Sequence, residues 1–340
     1  MTMPLPDAVF TRAQLRACRD VIYRNSQSFF LSSLLLPPDV RACAWAIYGF
    51  CRNADDLIDS PPEPNRDFLQ HSLLRLHRRL DEVYSGQPQT LLDSAFASFV
   101  HRYALPRSIP DCLLDGFATD VNGVEFADER QLIEYSFKVA STVGLMIVHA
   151  METEVGTNRK FVLTKACDLG IAMQLTNIAR DMGTDLKNGR VYFPHSWIER
   201  YSFEAYVNDG GNPAFSKAES MIARELITLS DRHYASALEG IELLAPRCRP
   251  AISAALSVYS AINGKIKANN YDSISRRAVV PISAKLALVM KAYFKHAPVN
   301  SRVPSLEPGP SDDIIEAYLS RLGLLNSGLL SGRSTFESRG

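Results

Sequence analysis

Apolar residues recur along most of this chain with the three-to-four-residue spacing of amphipathic helices, and strand-like alternation is rare. The pattern therefore predicts an all-α protein. The expected helices cover about residues 11–25, 39–59, 66–84, 91–103, 108–122, 129–150, 160–188, 214–240, 249–269, 281–295 and 312–322. This periodicity alone indicates a large helical bundle, which we expect to form a single domain over residues 1–297.

Residues 298–340 differ in composition from the rest of the chain. Four prolines fall between Pro298 and Ser311, which predicts an extended linker. Ser311 and the two aspartates after it are expected to cap a short amphipathic helix that runs to about Leu322. We expect this helix to dock on the bundle or on a membrane, and the Ser/Gly-rich residues 327–340 to be disordered.

Two pairs of aspartates, each pair four residues apart, lie inside apolar helical stretches. They are Asp55 with Asp59, and Asp181 with Asp185. Like charges at this spacing repel by roughly 0.2–0.5 kcal/mol per pair on a helix, so their repetition suggests a counter-cation. Hard oxygen ligands suit Mg²⁺, which usually bridges to substrate phosphates.

Further polar residues share the helix faces of these aspartates. On a helical wheel Tyr48 and Arg52 join the first pair within an arc of about 60°, and Gln174 and Asn177 join the second within about 80°. Two solvated acidic faces are the alternative interpretation. The apolar flanks at 44–47 and 169–173 instead favour an internal polar site, in which the two faces form a cage for Mg²⁺ and a diphosphate.

Composition excludes several other classes of function. Lys plus Arg and Asp plus Glu number 37 each, and a chain of zero net charge without a basic run argues against nucleic-acid binding. The six cysteines have neither zinc-site nor compact disulfide spacing. We find no signal peptide and no apolar run long enough to span a bilayer, so we expect a cytoplasmic protein with at most peripheral contact with the inner face of the membrane.

Several ordered motifs between about Asn25 and Lys285 resemble those of the squalene/phytoene synthases, most closely the bacterial phytoene synthases. The blocks that carry the resemblance are Ser26–Phe29, Tyr48–Asp59, Tyr135 with Val139–Gly144, Gln174–Asp181 and Gly189–Pro194. Each aspartate pair alone is a weak signal, but these blocks together at compatible spacing are specific.

The resemblance implies the all-α isoprenoid synthase fold with a central cavity, so residues 1–297 would be its catalytic domain. It also implies a Mg²⁺-dependent prenyltransferase, with Mn²⁺ as a substitute metal and no need for NADPH. The implied reaction joins two molecules of geranylgeranyl diphosphate head to head. It passes through prephytoene diphosphate to phytoene, the first committed step of carotenoid biosynthesis. The sequence leaves the oligomeric state open.

Matching the motifs position by position assigns roles to individual residues. The metal ligands would be Asp55, Asp59, Asn177, Asp181 and Asp185. The catalytic residues would be Tyr48, Arg52, Asp56, Tyr135, Gln174, Arg180 and Tyr259. The substrate-binding residues would be Ser26, Ser28, Phe29, Arg52, Val139, Gln174, Asn177 and Arg276. Arg276 and Lys285 lie near basic positions of the family, with an ordinary solvated charge as the alternative, and Tyr192 is expected to pack beneath the site.

Two departures from the family pattern and several other functions stay open. Thr184 replaces an acidic residue beside the second aspartate pair, and Asn25 replaces a histidine before the Ser-x-Ser-Phe motif. A close alternative is a squalene, dehydrosqualene or hydroxysqualene synthase that uses farnesyl diphosphate. A terpene cyclase or a diphosphate hydrolase could also use paired acidic motifs, but neither explains the other blocks. A remote alternative is a non-catalytic assembly factor of the same fold, against which the intact aspartate pairs argue.

Overall fold

A computed structural model describes residues 9–59, 66–151, 153, 158–204, 215–295 and 308–325. The predicted surface loop at 208–213, most of the proline-rich linker and the tail from residue 327 onward lie outside these residues. The division of the chain at residue 297 therefore stays a prediction.

Within the described residues the structure is helical and contains no β-strand, which confirms the predicted fold class. The helices are α1 (Arg12–Asn25), α2 (Gln27–Ser33), α3 (Pro38–Asp59), α4 (Arg66–Tyr84), α5 (Leu91–Tyr103), α6 (Ser108–Asn122), α7 (Glu129–Ser136), α8 (Thr142–Ala150), α9 (Arg159–Lys187), α10 (His195–Tyr201), α11 (Lys217–Gly240), α12 (Arg249–Ala268), α13 (Ile282–Lys295) and α14 (Asp312–Arg321). None of the described helices is long and apolar enough to cross a membrane.

Local capping explains where the first helices begin. The Thr11 hydroxyl accepts a hydrogen bond from the Gln14 amide at 3.2 Å, and the Gln14 side chain accepts one from the Thr11 amide, so α1 starts with a capping box. Ser26 ends α1 and is also the N-cap of α2, because its hydroxyl accepts a hydrogen bond from the Phe29 amide at 3.3 Å. The seven-residue helices α2 and α10 are not among the predicted helices, because they are too short for the apolar period to reveal.

Helix α9 runs through the middle of the bundle and packs against α8, α11 and α12. The predicted helix at 129–150 is interrupted opposite α9 by a π-turn over Phe137–Ser141 that joins α7 to α8. Gly170 of α9 lies directly against this turn, since a Cβ there would come within 2.6 Å of the Ser141 backbone. The Ser141 hydroxyl also donates to the Cys167 carbonyl at 2.7 Å, so α9 and the π-turn are held together closely.

Helix α14 packs on the bundle beside α7 and α9. Its Ile315 and Leu319 are fully buried and belong to the same hydrophobic cluster as the core of the bundle. The Ser108 hydroxyl of α6 donates to the Leu322 carbonyl at 2.9 Å, which fixes the end of the helix. Residues 308–325 are therefore packed as part of one core.

Two glycine-to-alanine substitutions test the close packing of α9. Gly170→Ala should lower the free energy of unfolding by about 1–3 kcal/mol, because the added methyl group meets backbone that cannot move aside easily. Gly264 lies away from the ends of α12, on its exposed side and with open space around it. Gly264→Ala should therefore raise the free energy of unfolding by about 0.5–1 kcal/mol. Urea unfolding followed by circular dichroism measures both, and equal midpoints for the two variants would contradict the close approach.

Candidate active site

A cavity of about 740 Å³ lies among α2, α3, α8, α9 and α12. It follows α9 from Val162 to Arg180, a span of 19 residues that rises about 27 Å along the helix. The N-terminal half of this wall is mostly apolar, with Val162, Leu169 and Met173, whereas Gln174, Asn177 and Arg180 line the C-terminal half. The cavity is thus elongated, and its polarity changes along its length.

The polar face of α3 reaches the same cavity. Tyr48, Arg52 and Asp55 line it, as their spacing predicts. The Arg52 guanidinium donates to Asp55 at 2.9 Å and to Asp56 at 2.5 Å, so two carboxylates share one arginine. Arg52 Nε is buried without a hydrogen-bond partner and can still bind a ligand oxygen. The side chain of Asp59 lies outside the described residues.

The polar face of α9 is built around a second arginine–aspartate pair. The Arg180 guanidinium donates to both oxygens of Asp181, at 3.0 and 2.5 Å. Arg277, from the segment between α12 and α13, donates to Asp181 Oδ1 at 2.7 Å. Burial by itself would raise the pKa of Asp181, but hydrogen bonds and charge from the two arginines lower it, so this carboxylate stays ionised.

An aromatic group joins the two polar faces. The Phe29 ring of α2 lies 4.8 Å from the ring of Tyr259 on α12 and 6.0 Å from the ring of Tyr48 on α3. All three residues line the cavity together with Ser26 and Ser28. Burial raises the pKa of both tyrosines, and hydrogen bonding with Ser26 opposes part of the rise. The phenols are therefore neutral and present their rings and hydroxyls to the cavity.

A half-buried carboxylate that the sequence motifs do not include, Asp120, lies under Tyr135 and Tyr192. Tyr135 Oη donates to Asp120 at 3.0 Å and Tyr192 Oη donates to it at 2.8 Å. Burial, followed by the charge of Asp120, raises the pKa of both phenols. Asp120 lines the cavity on the face of α6 that also carries Leu113 and Phe117. Its i, i+4, i+7 spacing with these two residues is the sequence signal that could have revealed it.

The structure places some predicted residues at the margin of the site. Asp181 and Asp185 are half-buried, and neither lines the cavity. Burial lowers the pKa of Arg180, but Asp181 and, to a smaller extent, Asp185 raise it overall. Arg276 is exposed and does not line the cavity, whereas its neighbour Arg277 does. Val139 and Lys285 both line it, and burial, with a smaller contribution from the Arg180 charge, lowers the pKa of Lys285.

The two residues that depart from the family pattern, Thr184 and Asn25, differ in their position relative to the cavity. Thr184 is exposed on α9 and takes no part in the cavity lining. Asn25 lines the cavity, and its side-chain amide donates to the Val21 carbonyl at 2.9 Å, closing the last turn of α1.

The oxygen atoms at this site fit a divalent metal held jointly with a phosphate. Asn177 Oδ1 is buried and has no hydrogen-bond partner, which makes it an available hard oxygen ligand beside the cavity. Among the described residues no three His, Cys, Asp or Glu side chains form a metal-holding group by themselves. Mg²⁺ needs only one or two carboxylates when substrate phosphates supply the other ligands, so Asp55, Asp181 and Asn177 are chemically suitable.

The sequence matches the family described as squalene/phytoene synthase over residues 22–284. The chain is 39% identical to the phytoene synthase of Cereibacter sphaeroides over 282 residues, which cover 81% of this chain and 78% of the relative. It is 38% identical to the phytoene synthase of Rhodobacter capsulatus over 299 residues, which cover 87% and 85% of the two chains.

Solved structures agree with these matches. A dehydrosqualene synthase crystallised with a ligand superposes with a TM-score of 0.72 at 27% identity, covering 84% of this chain and 97% of that one. A squalene synthase of Alicyclobacillus acidocaldarius, at 19% identity and a TM-score of 0.64, shares the isoprenoid synthase fold and covers 76% and 95% of the two chains. The family match and the identity of these relatives confirm the resemblance: the chain belongs to the squalene/phytoene synthase family.

Proposed function

We propose that this protein is a Mg²⁺-dependent prenyltransferase that condenses two molecules of geranylgeranyl diphosphate into phytoene by way of prephytoene diphosphate. This reaction is the first committed step of carotenoid biosynthesis. The observation that carries the proposal is that one cavity brings polar groups from α3 and α9 together with a long apolar wall. The names of the relatives in Cereibacter sphaeroides and Rhodobacter capsulatus support phytoene as the product.

The polar half of the cavity suits the diphosphate. Arg52, Arg180 and Arg277 all line it, and guanidinium groups bind phosphate oxygens through paired hydrogen bonds. When the diphosphate enters, these arginines can redirect N–H groups toward it from the carboxylates that they now contact. A bound Mg²⁺, held by Asp55, Asn177 and Asp181, would neutralise the diphosphate charge and so promote departure of pyrophosphate. Asp59 and Asp185 complete the ligand set that we propose.

The apolar half suits the prenyl chains and the allylic cation. Its walls exclude water, which would otherwise quench the cation before the second molecule attacks it. The rings of Phe29, Tyr48 and Tyr259 lie where the polar and apolar halves meet, and aromatic faces stabilise positive charge. Gln174 orients the substrate from α9. Tyr135, held by Asp120, presents its hydroxyl end to the same cavity.

A dehydrosqualene or squalene synthase is the closest alternative function, since solved structures of such enzymes share the fold. Such an enzyme would join two farnesyl diphosphates, and a squalene synthase would also need a reductant such as NADPH. The elongated cavity, which follows α9 for about 27 Å, favours the longer geranylgeranyl chain.

The outer face of α13 supports peripheral association with an anionic membrane. Large apolar side chains on this helix are 46–66% exposed: Ile282, Leu286, Met290, Tyr293 and Phe294. The helix carries three lysines and no acidic residue, which suits a helix lying on anionic lipid. Lys285 of the same helix lines the cavity, so this surface is continuous with the route for a lipid-like substrate.

The product assay tests the proposed function directly. We expect geranylgeranyl diphosphate with Mg²⁺ to give phytoene without NADPH, and a chelator to stop pyrophosphate release. Asp55→Ala and Asp181→Ala should each abolish condensation while the far-ultraviolet circular dichroism stays unchanged. Mass spectrometry of the hydrocarbon decides between chain lengths, and faster turnover of farnesyl diphosphate or full activity of both variants would reject the proposal.

Two neighbouring arginines provide a matched test of the diphosphate contacts. Arg277→Ala should lower kcat/KM by about tenfold or more, because hydrogen bonds to charged groups contribute roughly 1.5–3 kcal/mol. Arg276→Ala should have a much smaller effect, since its side chain does not line the cavity. Steady-state kinetics on both variants decides which arginine binds substrate, and a larger loss for Arg276→Ala would restore the assignment made from sequence.

Sedimentation with lipid vesicles tests the α13 surface. The protein should bind vesicles containing phosphatidylglycerol more strongly than pure phosphatidylcholine vesicles. Leu286→Glu/Met290→Glu should lose most of this binding, whereas Leu74→Glu/Leu91→Glu, at exposed leucines of α4 and α5, should keep it. Equal binding by both double variants would contradict the assignment, as would a concentration-dependent dimer that only the α13 variant loses.

A further inference from the structure

A buried polar cluster lies between α9 and α11, and the proposed chemistry does not use it. Asp168 Oδ1 lies 2.7 Å from His233 Nδ1, and both side chains are fully buried. The Ser236 hydroxyl donates to the other oxygen of Asp168 at 2.5 Å. Lys165 Nζ donates to the Ser236 hydroxyl at 2.8 Å. We call Lys165, Asp168, His233 and Ser236 the α9–α11 polar cluster.

The segment 308–325 is anchored on this cluster. Ser311 occupies the N-cap position of α14, yet its hydroxyl makes no capping hydrogen bond and lies 3.2 Å from His233 Nε2. A Cβ on Gly309 would come within 2.8 Å of Asp168 and 2.9 Å of Ser236, so the backbone lies directly over the cluster. A capping hydroxyl normally serves its own helix. Here it connects α14 to the bundle instead.

The other end of the cluster reaches the cavity. Lys165 is almost fully buried, and it is a charged residue in the otherwise apolar half of the cavity wall. Besides Ser236, its ammonium group contacts Glu239 at 3.1 Å. Its side chain also packs against Gly240, where an added Cβ would lie only 2.5 Å from Lys165 Cβ. A chain of contacts thus connects Ser311 to the cavity wall.

A second and separate connection runs through an aromatic pair. The Tyr318 ring of α14 stacks on the Phe137 ring with centroids 4.5 Å apart and an interplanar angle of 27°. Phe137 opens the π-turn, and Val139 and Ala140 of that turn line the cavity. A π-turn departs from the regular helical hydrogen-bond pattern, so packing against neighbours decides its conformation.

We propose that residues 308–325 position the wall of the substrate cavity, with Tyr318 acting through Phe137 on Val139 and with Ser311 acting through the α9–α11 polar cluster on Lys165. The proposal rests on the proposed function, because it assigns these contacts to binding of the prenyl chain. The segment lies beyond the family match, which ends at residue 284. Tyr318 and Ser311 are positioning residues, since neither lines the cavity.

The prenyl chain and the diphosphate would contact different halves of the cavity, so the proposal predicts different effects on KM and kcat. Val139, Ala140 and Lys165 lie along the wall that faces the prenyl chain, whereas the arginines that suit the diphosphate lie on α3, on α9 and at Arg277. Loosening the π-turn should weaken binding of the prenyl chain and leave ionisation of the diphosphate nearly unchanged. KM should therefore rise while kcat stays close to its original value.

Variants of the full-length chain at Tyr318 test the aromatic connection. Tyr318→Ala should raise KM for geranylgeranyl diphosphate about threefold or more, the change that loss of one aromatic pair can produce, while kcat stays within about twofold. Tyr318→Phe keeps the ring and should restore the original KM. Glu316→Gln, which removes only an exposed ion pair with Lys160, should match the unsubstituted protein. If Tyr318→Ala does not fold, Tyr318→Leu is measured in its place.

Hydrogen–deuterium exchange of residues 137–148 provides a readout that does not depend on turnover. Exchange should rise in Tyr318→Ala and Ser311→Ala but not in Tyr318→Phe. Equal KM values for the alanine and phenylalanine variants, a loss confined to kcat, or unchanged exchange in this segment would overturn the proposal. If the unsubstituted protein does not convert geranylgeranyl diphosphate, the proposed function fails, and the exchange comparison alone then decides whether α14 positions the π-turn.

Discussion

The arrangement of this site depends on keeping carboxylates ionised within a bundle whose other faces are apolar. Burial favours the protonated form of a carboxyl group, which would remove the charge that attracts a metal. Asp181 avoids this because Arg180 and Arg277 approach it from different parts of the chain. Arg52 forms ion pairs with Asp55 and Asp56 on α3. Of these three carboxylates Asp55 lines the cavity, and Asp181 lies next to the lining residue Arg180 on α9.

The same helices that supply charge also supply the dry part of the cavity. Helix α9 changes character along its length, from apolar at Val162 to polar at Arg180. Because a helix is straight over this distance, one element can align a diphosphate with its prenyl chain. The π-turn next to Gly170 then lets α8 and α9 approach closely enough to close the wall.

Most of the fold could be predicted from the sequence because helix periodicity and capping are local signals. The predicted limits of α4, α5 and α6 agree with the structure for this reason. The π-turn could not be predicted, since it covers only five residues, too few for the apolar spacing to distinguish i→i+5 from i→i+4 hydrogen bonding. Ser311 was expected to cap α14, but a buried histidine from a distant helix provides a competing partner.

The candidate site was predictable where it lies on regular helices. The helical wheel places Tyr48 and Asp55 on one face, and both line the cavity. Arg277 lies between helices, where no fixed angle relates neighbouring residues, so the sequence could not distinguish it from Arg276. Asp120 has no second acidic residue at helical spacing, and only the fold reveals its two phenol partners.

The paired arginines have one more consequence for how the protein discriminates among anions. Each guanidinium already has a carboxylate partner, so an incoming anion must compete with that partner instead of entering a bare cationic pocket. A singly charged carboxylic acid or inorganic ion gains little from such an exchange. When a diphosphate arrives with a divalent cation, both members of each ion pair gain a new partner. The cation binds the released aspartate, and the phosphate oxygens bind the arginines. Selectivity for metal–diphosphate complexes is thereby built into the resting ion pairs.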